Sequence, residues 1–384
     1  AVPSQSVWSE SQMIWSVSLV ASGDLAPGVG AGHEEDIEEP SASRPPSGAC
    51  IPEEGAWAGR GYDPHLRAIG DLVGIFRRGE RRDGVDLPRD GEFAFLSEAE
   101  ATRLRTFVRE AFAGRGIEVT VEPGRVTTDS GWRFGLSNLA AVCHNDSRGP
   151  RCWRALVDEH VDRVIRSMDG PQALKALPHE QLLVQLYPRF IPSDPALLKA
   201  FGYGPQSVPG LLEVLALDLP ETVDMLTADS LSNLGDITAL RDRAFQNLRA
   251  VRVDKHKVVR DKDGSHFDVL MGGSYFIASL ALVLDEVVLR YTMDAPAPDG
   301  ILVALPHRHQ LAFHVVRDRN VASSLHAMAR FAAMGFEQSP GALSPSVFWW
   351  HEGSFTQVAT QDDAGLHIKL TQEAMDLAAR FAGG

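Results

Sequence analysis

The sequence predicts an α+β chain: two domains of mixed or antiparallel sheets with packed helices, preceded by a disordered N-terminal tail. Three observations carry this expectation. Stretches with helical apolar period alternate with short apolar runs bounded by Gly, Pro and Asp turns. Several of those runs come in pairs joined by only a few residues, which is hairpin spacing rather than crossover spacing. Residues 1–70 sustain neither period. The expected units are a disordered acidic extension over 1–72, an N-terminal domain over 73–205 that ends in a proline-rich junction, and a C-terminal domain over 206–384.

Charge is distributed unevenly. The 384 residues carry a net −14, and residues 1–72 hold eleven acids against three bases, a balance of −8. The tail is also dense in Gly and Pro, so it cannot bury enough apolar surface to offset its ordering entropy. Trp8, Trp15 and Trp57 are the side chains by which it could dock on the body. Val73-Gly74-Ile75-Phe76-Arg77-Arg78 has the composition of a protein start, and a valine codon can initiate, so the first 72 residues are expected to precede the natural protein. An acidic chain is a poor partner for nucleic acid or an anionic membrane. No apolar run reaches the ~18–20 residues that span a bilayer, and Met13 to Ala21 lacks the basic flank of a signal peptide. Cys50, Cys143 and Cys152 form no CxxC pair, which argues against a disulfide framework and for a reducing, cytoplasmic setting.

Taken in order, Arg77, Arg78, Arg81 and Arg82 offer a phosphate contact. Without aromatic interleaving they read as a solvated linker. Ser97 and Glu100 form a capping-box signature, followed by Leu104, Phe107, Val108, Ala111 and Phe112 at helical spacing. Three short strands follow over 117–121, 125–128 and 132–136, then a short helix over 138–143. Trp153, Leu156, Val157, His160, Val161, Val164, Ile165 and Met168 mark one face of a long helix that Gly170-Pro171 ends. Leu182 to Tyr187 reads as a strand and 196–201 as a helix. Leu211 to Leu219 reads as a buried strand and 231–250 as one amphipathic helix. A hairpin turns at Asp261 to Gly264, and 276–291 is an apolar helix. Helix 321–334, a hairpin about Glu352-Gly353, a strand over 366–370 and a helix capped by Thr371 complete the chain.

The search for chemistry centres on GILVALPHRHQLAFHVVRD, residues 300–318. Two apolar runs flank the polar interruption Pro306 to Gln310, so a central hairpin should lift His307, Arg308 and His309 on its tip. In extended chain, His307 and His309 share a face, and His314 and His351 could lie nearby. Two imidazoles plus a carboxylate could hold zinc or iron, although spacing identifies no carboxylate and histidines at a tip are commonly just solvated. Of Trp349 and Trp350, on opposite faces of one strand, one should be core and the other, Trp350, a ligand or partner contact. Cys143-His144-Asn145 has the residue types of a cysteine hydrolase, but adjacent residues cannot converge as a triad, so Cys143 and Cys152 read as buried thiols. Asp261-x-Asp263-Gly264 departs from a calcium loop at its sixth and twelfth positions and reads as a turn. Asp285 and Glu286 read as a solvent stripe. Phosphate-loop, dinucleotide, HExxH and GxSxG patterns in their required contexts are absent from the sequence.

Three segments carry a family resemblance: Gly135 to Leu139 (GLSNL), Pro209 to Val223 (PGLLEVLALDLPETV) and Leu305 to Val316 (LPHRHQLAFHVV). Through them the region from about Phe95 to Phe336 resembles the YtpQ-like family of uncharacterised bacterial proteins. That family tends to carry Asn before the hairpin Arg, where this chain has His307, so the resemblance favours Arg308 as the structural constant. It implies no activity, cofactor or catalytic residue. The expected function is therefore binding of a protein or small-molecule partner, in an immunity or regulatory role, with no cofactor, nucleic acid or membrane. The alternative is a hydrolase or metal-dependent enzyme that uses the His307/Arg308/His309 tip.

Overall fold

Ser97 begins the first helix in the way its spacing demands. Its Oγ accepts from the Glu100 amide and the Glu100 carboxylate accepts from the Ser97 amide at 2.9 Å, a closed capping box on α1 (Glu98–Ala113). In this computed structural model, residues 88–376 are described apart from 131, 170–176, 220–222, 294–296, 318, 363–364 and 373–374. The expected tail, the arginine cluster at 77–82 and most of the last helix lie outside the described residues.

The first unit forms around α1. Strands β1 (Val119–Val121), β2 (Arg125–Thr128) and β3 (Arg133–Gly135) make an antiparallel meander, and α2 (Ser137–Asn145) and α3 (Trp153–Asp169) follow. Leu104, Val108 and Phe112 of α1 meet Val126, Phe134, Leu139, Trp153 and Val157 in one core. Each such side chain contributes about 1.5–3 kcal/mol when fully buried, so this unit has a core of its own.

Helix α4 (His179–Val184) and strand β4 (Leu186–Pro192) occupy the stretch where a strand over Leu182 to Tyr187 was expected. Apolar content alone could not separate a short helix from a strand there. Pro188 and Pro192 are tolerated because β4 is the edge of a three-stranded antiparallel sheet, β4-β5-β6, with β5 (Leu211–Asp218) central and β6 (Val223–Met225) beyond. Helix α5 (Pro195–Phe201) lies in the β4–β5 connection. Because β4 and β5 pair along their full length, the domain boundary expected between 205 and 206 is displaced. Residues from α4 onward belong with the second unit. The one carboxylate within the apolar run of β5, Glu213, is buried and accepts from Arg241 Nε at 2.7 Å, Arg241 Nη2 at 3.0 Å and Ser207 Oγ at 2.8 Å. The single helix expected over 231–250 is two helices, α6 (Ala228–Ser232) and α7 (Ile237–Arg249). Gly235 turns between them at φ 136°, and Asp236 caps α7 through the Ala239 amide.

A seven-stranded antiparallel sheet in the order β13-β12-β11-β9-β10-β8-β7 forms the larger part. Its strands are β7 (Lys255–Arg260), β8 (His266–Met271), β9 (Ile301–Ala304), β10 (Gln310–Val315), β11 (Ser346–His351), β12 (Ser354–Asp362) and β13 (Gly365–Ile368). Long helix α9 (Val321–Gln338) covers one face, with Met328, Phe331 and Ala332 on Val269, Leu302 and Ala312. The other face packs on the three-stranded sheet and on residues 276–292. That last segment was expected as one helix and is a 3-10 stretch (Ala278–Val283) running into α8 (Leu284–Thr292). Asp285 is exposed and Glu286 pairs with Arg249 at 2.9 Å, as a solvent stripe should.

One ion pair of the first unit gives a pH signature. Asp90 accepts from Arg105 Nη1 and Nη2 at 2.8 and 2.9 Å and from two backbone amides. Arg105 chiefly holds its carboxyl down to about 2 from an ordinary 3.8, with burial opposing and the Phe93 and Glu92 amides assisting. A lowered folded pKa stabilises above the unfolded pKa and is lost as pH falls through the folded one. Asp90→Asn should therefore cost about 1.5–3 kcal/mol at pH 7. In thermal melts its deficit should close as both proteins are taken from about pH 4 to about pH 2.

Candidate functional site

The connection from β9 to β10 is a hairpin loop as expected, but its residues are not lifted into solvent. His307, Arg308 and His309 are 1%, 3% and 1% exposed. The reason is where the backbone groups go. The Arg308 and His309 carbonyls accept from the Ala278 and Gly272 amides at 3.1 and 3.3 Å, in the connection after β8. The Arg308 amide donates to Gly341 O at 3.0 Å, and Pro306 O and Leu305 O accept from Leu343 and Ser344, all in the segment after α9. Two distant loops thus close over the tip. Gly341 in turn donates its amide to Asn138 Oδ1 at 2.7 Å, and Asn145 donates to Gln338 O at 2.6 Å, which ties α2 of the first unit to the same place.

The Arg308 and His309 side chains are committed as well. His309 Nδ1 lies 3.1 Å from Ser274 O, and Arg308 Nε donates to His309 Nε2 at 3.1 Å. A carbonyl can only accept, so Nδ1 carries the proton and Nε2 is the acceptor: a neutral imidazole of fixed tautomer. The Arg308 guanidinium stands 4.6 Å from the centroid of the Tyr275 ring. A second cation shares that ring, Arg189 of β4, at 5.8 Å. Arg189 is half-buried, its Nε is sealed from solvent, and its guanidinium makes no hydrogen bond or ion pair among the described residues. Burial first, and the Arg308 charge second, push it down to about 9, against the opposing pull of Tyr275 and Asp218.

The other expected residues do not join this centre. Trp350 is half-buried against the core and pairs with Ile301, at the far end of β9 from the tip. Six residues of extended chain separate Ile301 from His307, roughly 20 Å. Trp349 is the buried member of the pair, with Nε1 donating to Asp299 O at 3.1 Å. His351 stacks on Trp349 at 4.7 Å, and His314 sits on the α9 face of the sheet with its ring 4.6 Å from His266. The imidazoles expected to gather are dispersed, and among the described residues no three His, Cys, Asp or Glu side chains form a metal-holding group. Cys143 is a buried thiol pushed up by burial, His144 lies against Phe95 at 5.1 Å, and Asn145 is spent on Gln338, so that row diverges. Cys152 is buried too, but as part of a disulfide rather than as the expected thiol. Asp261 to Gly264 is a hairpin turn between β7 and β8.

Arg189 and Tyr275 escaped the sequence reading. Their only signal was a lone arginine between Pro188 and Phe190 and a tyrosine after Gly272-Gly273-Ser274. No protein-family model, curated protein or solved structure matches the chain. No helix among the described residues is long and apolar enough to cross a membrane.

Two measurements test this geometry. Gly341 has φ 72°, and a Cβ there would lie 2.7 Å from the Arg308 side chain, so Gly341→Ala should destabilise by about 1–3 kcal/mol in denaturant titration. Nitrogen NMR of the imidazoles should show His309 protonated at Nδ1 and unprotonated at Nε2; an Nε2–H tautomer would contradict the Arg308 contact.

Proposed function

We propose that this chain acts by binding a small-molecule or protein partner, and that Arg189, Tyr275 and Arg308 are the contact centre. The observation that carries the reading is Arg189: a partly buried guanidinium without hydrogen bond or ion pair among the described residues, held beside a second guanidinium. Burying like charges together destabilises a fold, and proteins keep such arrangements chiefly where something else uses them. The hydrolytic or metal-dependent alternative at His307/Arg308/His309 has less support. A general base needs a lone pair aimed at substrate, and His309 has both nitrogens engaged by Ser274 and Arg308.

The YtpQ-like resemblance belongs to the same proposal. It is supported by convergence: Asn138 from its first segment meets Gly341, Gly341 meets Arg308 from its third, and β5 from its second packs in the same core as Leu305 and Leu311. The acidic charge still favours a partner other than nucleic acid. A cytoplasmic setting rests on cysteine spacing alone, and the disulfide at Cys152 bears against it.

The test is mass spectrometry of the natively purified protein, run first under native and then under denaturing conditions, beside Arg189→Met. The proposal expects a stoichiometric adduct on the wild type that denaturation releases and that Arg189→Met loses. An adduct-free wild type with ester or phosphoester hydrolysis that His309→Gln abolishes would reverse it in favour of the enzyme.

A further inference from the structure

We infer that the Arg189–Tyr275–Arg308 centre is an oxyanion site, taking a carboxylate or phosphate group of its ligand; this rests on the binding role proposed above and names its chemistry. The argument starts from donors. A guanidinium presents five N–H donors in a planar fork whose natural complement is a carboxylate or phosphate edge. At Arg189 those donors have no acceptor among the described residues, and the sealed Nε cannot turn to water.

Strand register shows where the carboxylates of β5 stand relative to Arg189. Arg189 pairs with Val214, so its side chain leaves the sheet on the Val214 side. Glu213, one residue along β5, is on the opposite face, where Arg241 and Ser207 hold it, while Asp218, four residues along on the Val214 side, pulls on Arg189 without a hydrogen bond or ion pair to it.

Preorganisation points the same way. Arg308 is fixed through its Nε by His309, which Ser274 O anchors, and its stem lies along the bare backbone of Gly341. Tyr275 offers its ring to both cations. Arg308 is enclosed, while Arg189, on the edge strand β4, keeps part of its surface exposed. A neutral ligand could take hydrogen bonds there but would leave two like charges facing each other. An oxyanion removes that repulsion and takes the hydrogen bonds as well.

The experiment is a thermal-shift and calorimetric titration of the full chain at constant ionic strength, with inorganic phosphate, acetate and, as a neutral arm, acetamide. A saturable rise in melting temperature with phosphate or acetate, and none with acetamide, is the expected result. A response to phosphate alone assigns a phosphoryl group; a response to acetate assigns a carboxylate. Arg189→Met should abolish the shift, and without anion it should melt higher than the wild type, because the repulsion is gone. Arg189→Lys keeps the charge and loses the fork, so it should bind about tenfold more weakly, and it serves if the methionine variant does not fold. No saturable shift with either anion overturns the inference. If the natively purified wild type then still carries an adduct that Arg189→Met loses, the binding role stands with a neutral ligand; if it carries none, both fail.

Discussion

Every backbone N–H and C=O sealed from water must find a partner, and the loop from Leu305 to Gln310 meets that demand largely with borrowed groups. A hairpin tip ordinarily faces solvent and leaves its carbonyls to water. Here Gly272, Ala278, Gly341, Leu343 and Ser344 take that part. An unmade buried hydrogen bond costs about 1–3 kcal/mol, so the connections after β8 and after α9 are not free to move independently. The first unit is drawn in by Asn138 and Asn145, and the loop becomes the point where three parts of the chain are registered against one another.

That registration is what makes the charge arrangement possible. Arg308 comes from the loop, Tyr275 from the connection after β8, and Arg189 from the edge strand of a different sheet. A cation over an aromatic ring gains about 0.5–2 kcal/mol. Taking a charge out of water costs several kcal/mol even after relaxation. The ring therefore offsets only part of the cost, and neighbouring contacts must hold the geometry. Fixing Arg308 through a neutral His309 costs less than fixing it through a charged group would, since the acceptor nitrogen adds no second charge to a buried place.

Much of the fold was legible from residues alone because its signals are local. Ser97 and Glu100 sit three apart, Trp153 to Asp169 keeps one apolar face, and Glu352-Gly353 turns a hairpin with both residues at positive φ. What failed was non-local. The β4–β5 pairing crosses a proline-rich stretch that reads as a junction, and nothing in its composition reveals an edge strand. Gly235 interrupts a helical apolar period without altering it. The tip was misjudged for the same reason. Three polar residues between two apolar strands mean exposure unless other loops cover them, and those loops lie thirty or more residues away on either side.

Arg189 differs from five other arginines of this chain. Arg105 ends on Asp90, Arg115 on Asp162, Arg148 on Asp146, Arg241 on Glu213 and Arg249 on Glu286, whether exposed or half-buried. Carboxylates still outnumber bases outside the N-terminal 72 residues, where the −14 of the whole chain less the −8 of that tail leaves −6. A guanidinium that forms no ion pair among the described residues, where a second cation stands beside it and Asp218 pulls only from farther along β5, is not explained by shortage. Packing does not explain it either, because a methionine or leucine would fill an edge-strand position against Tyr275 without the penalty. What a guanidinium offers there beyond bulk is its charge and its fork of donors, and both are functions exercised on a partner that the described residues do not supply.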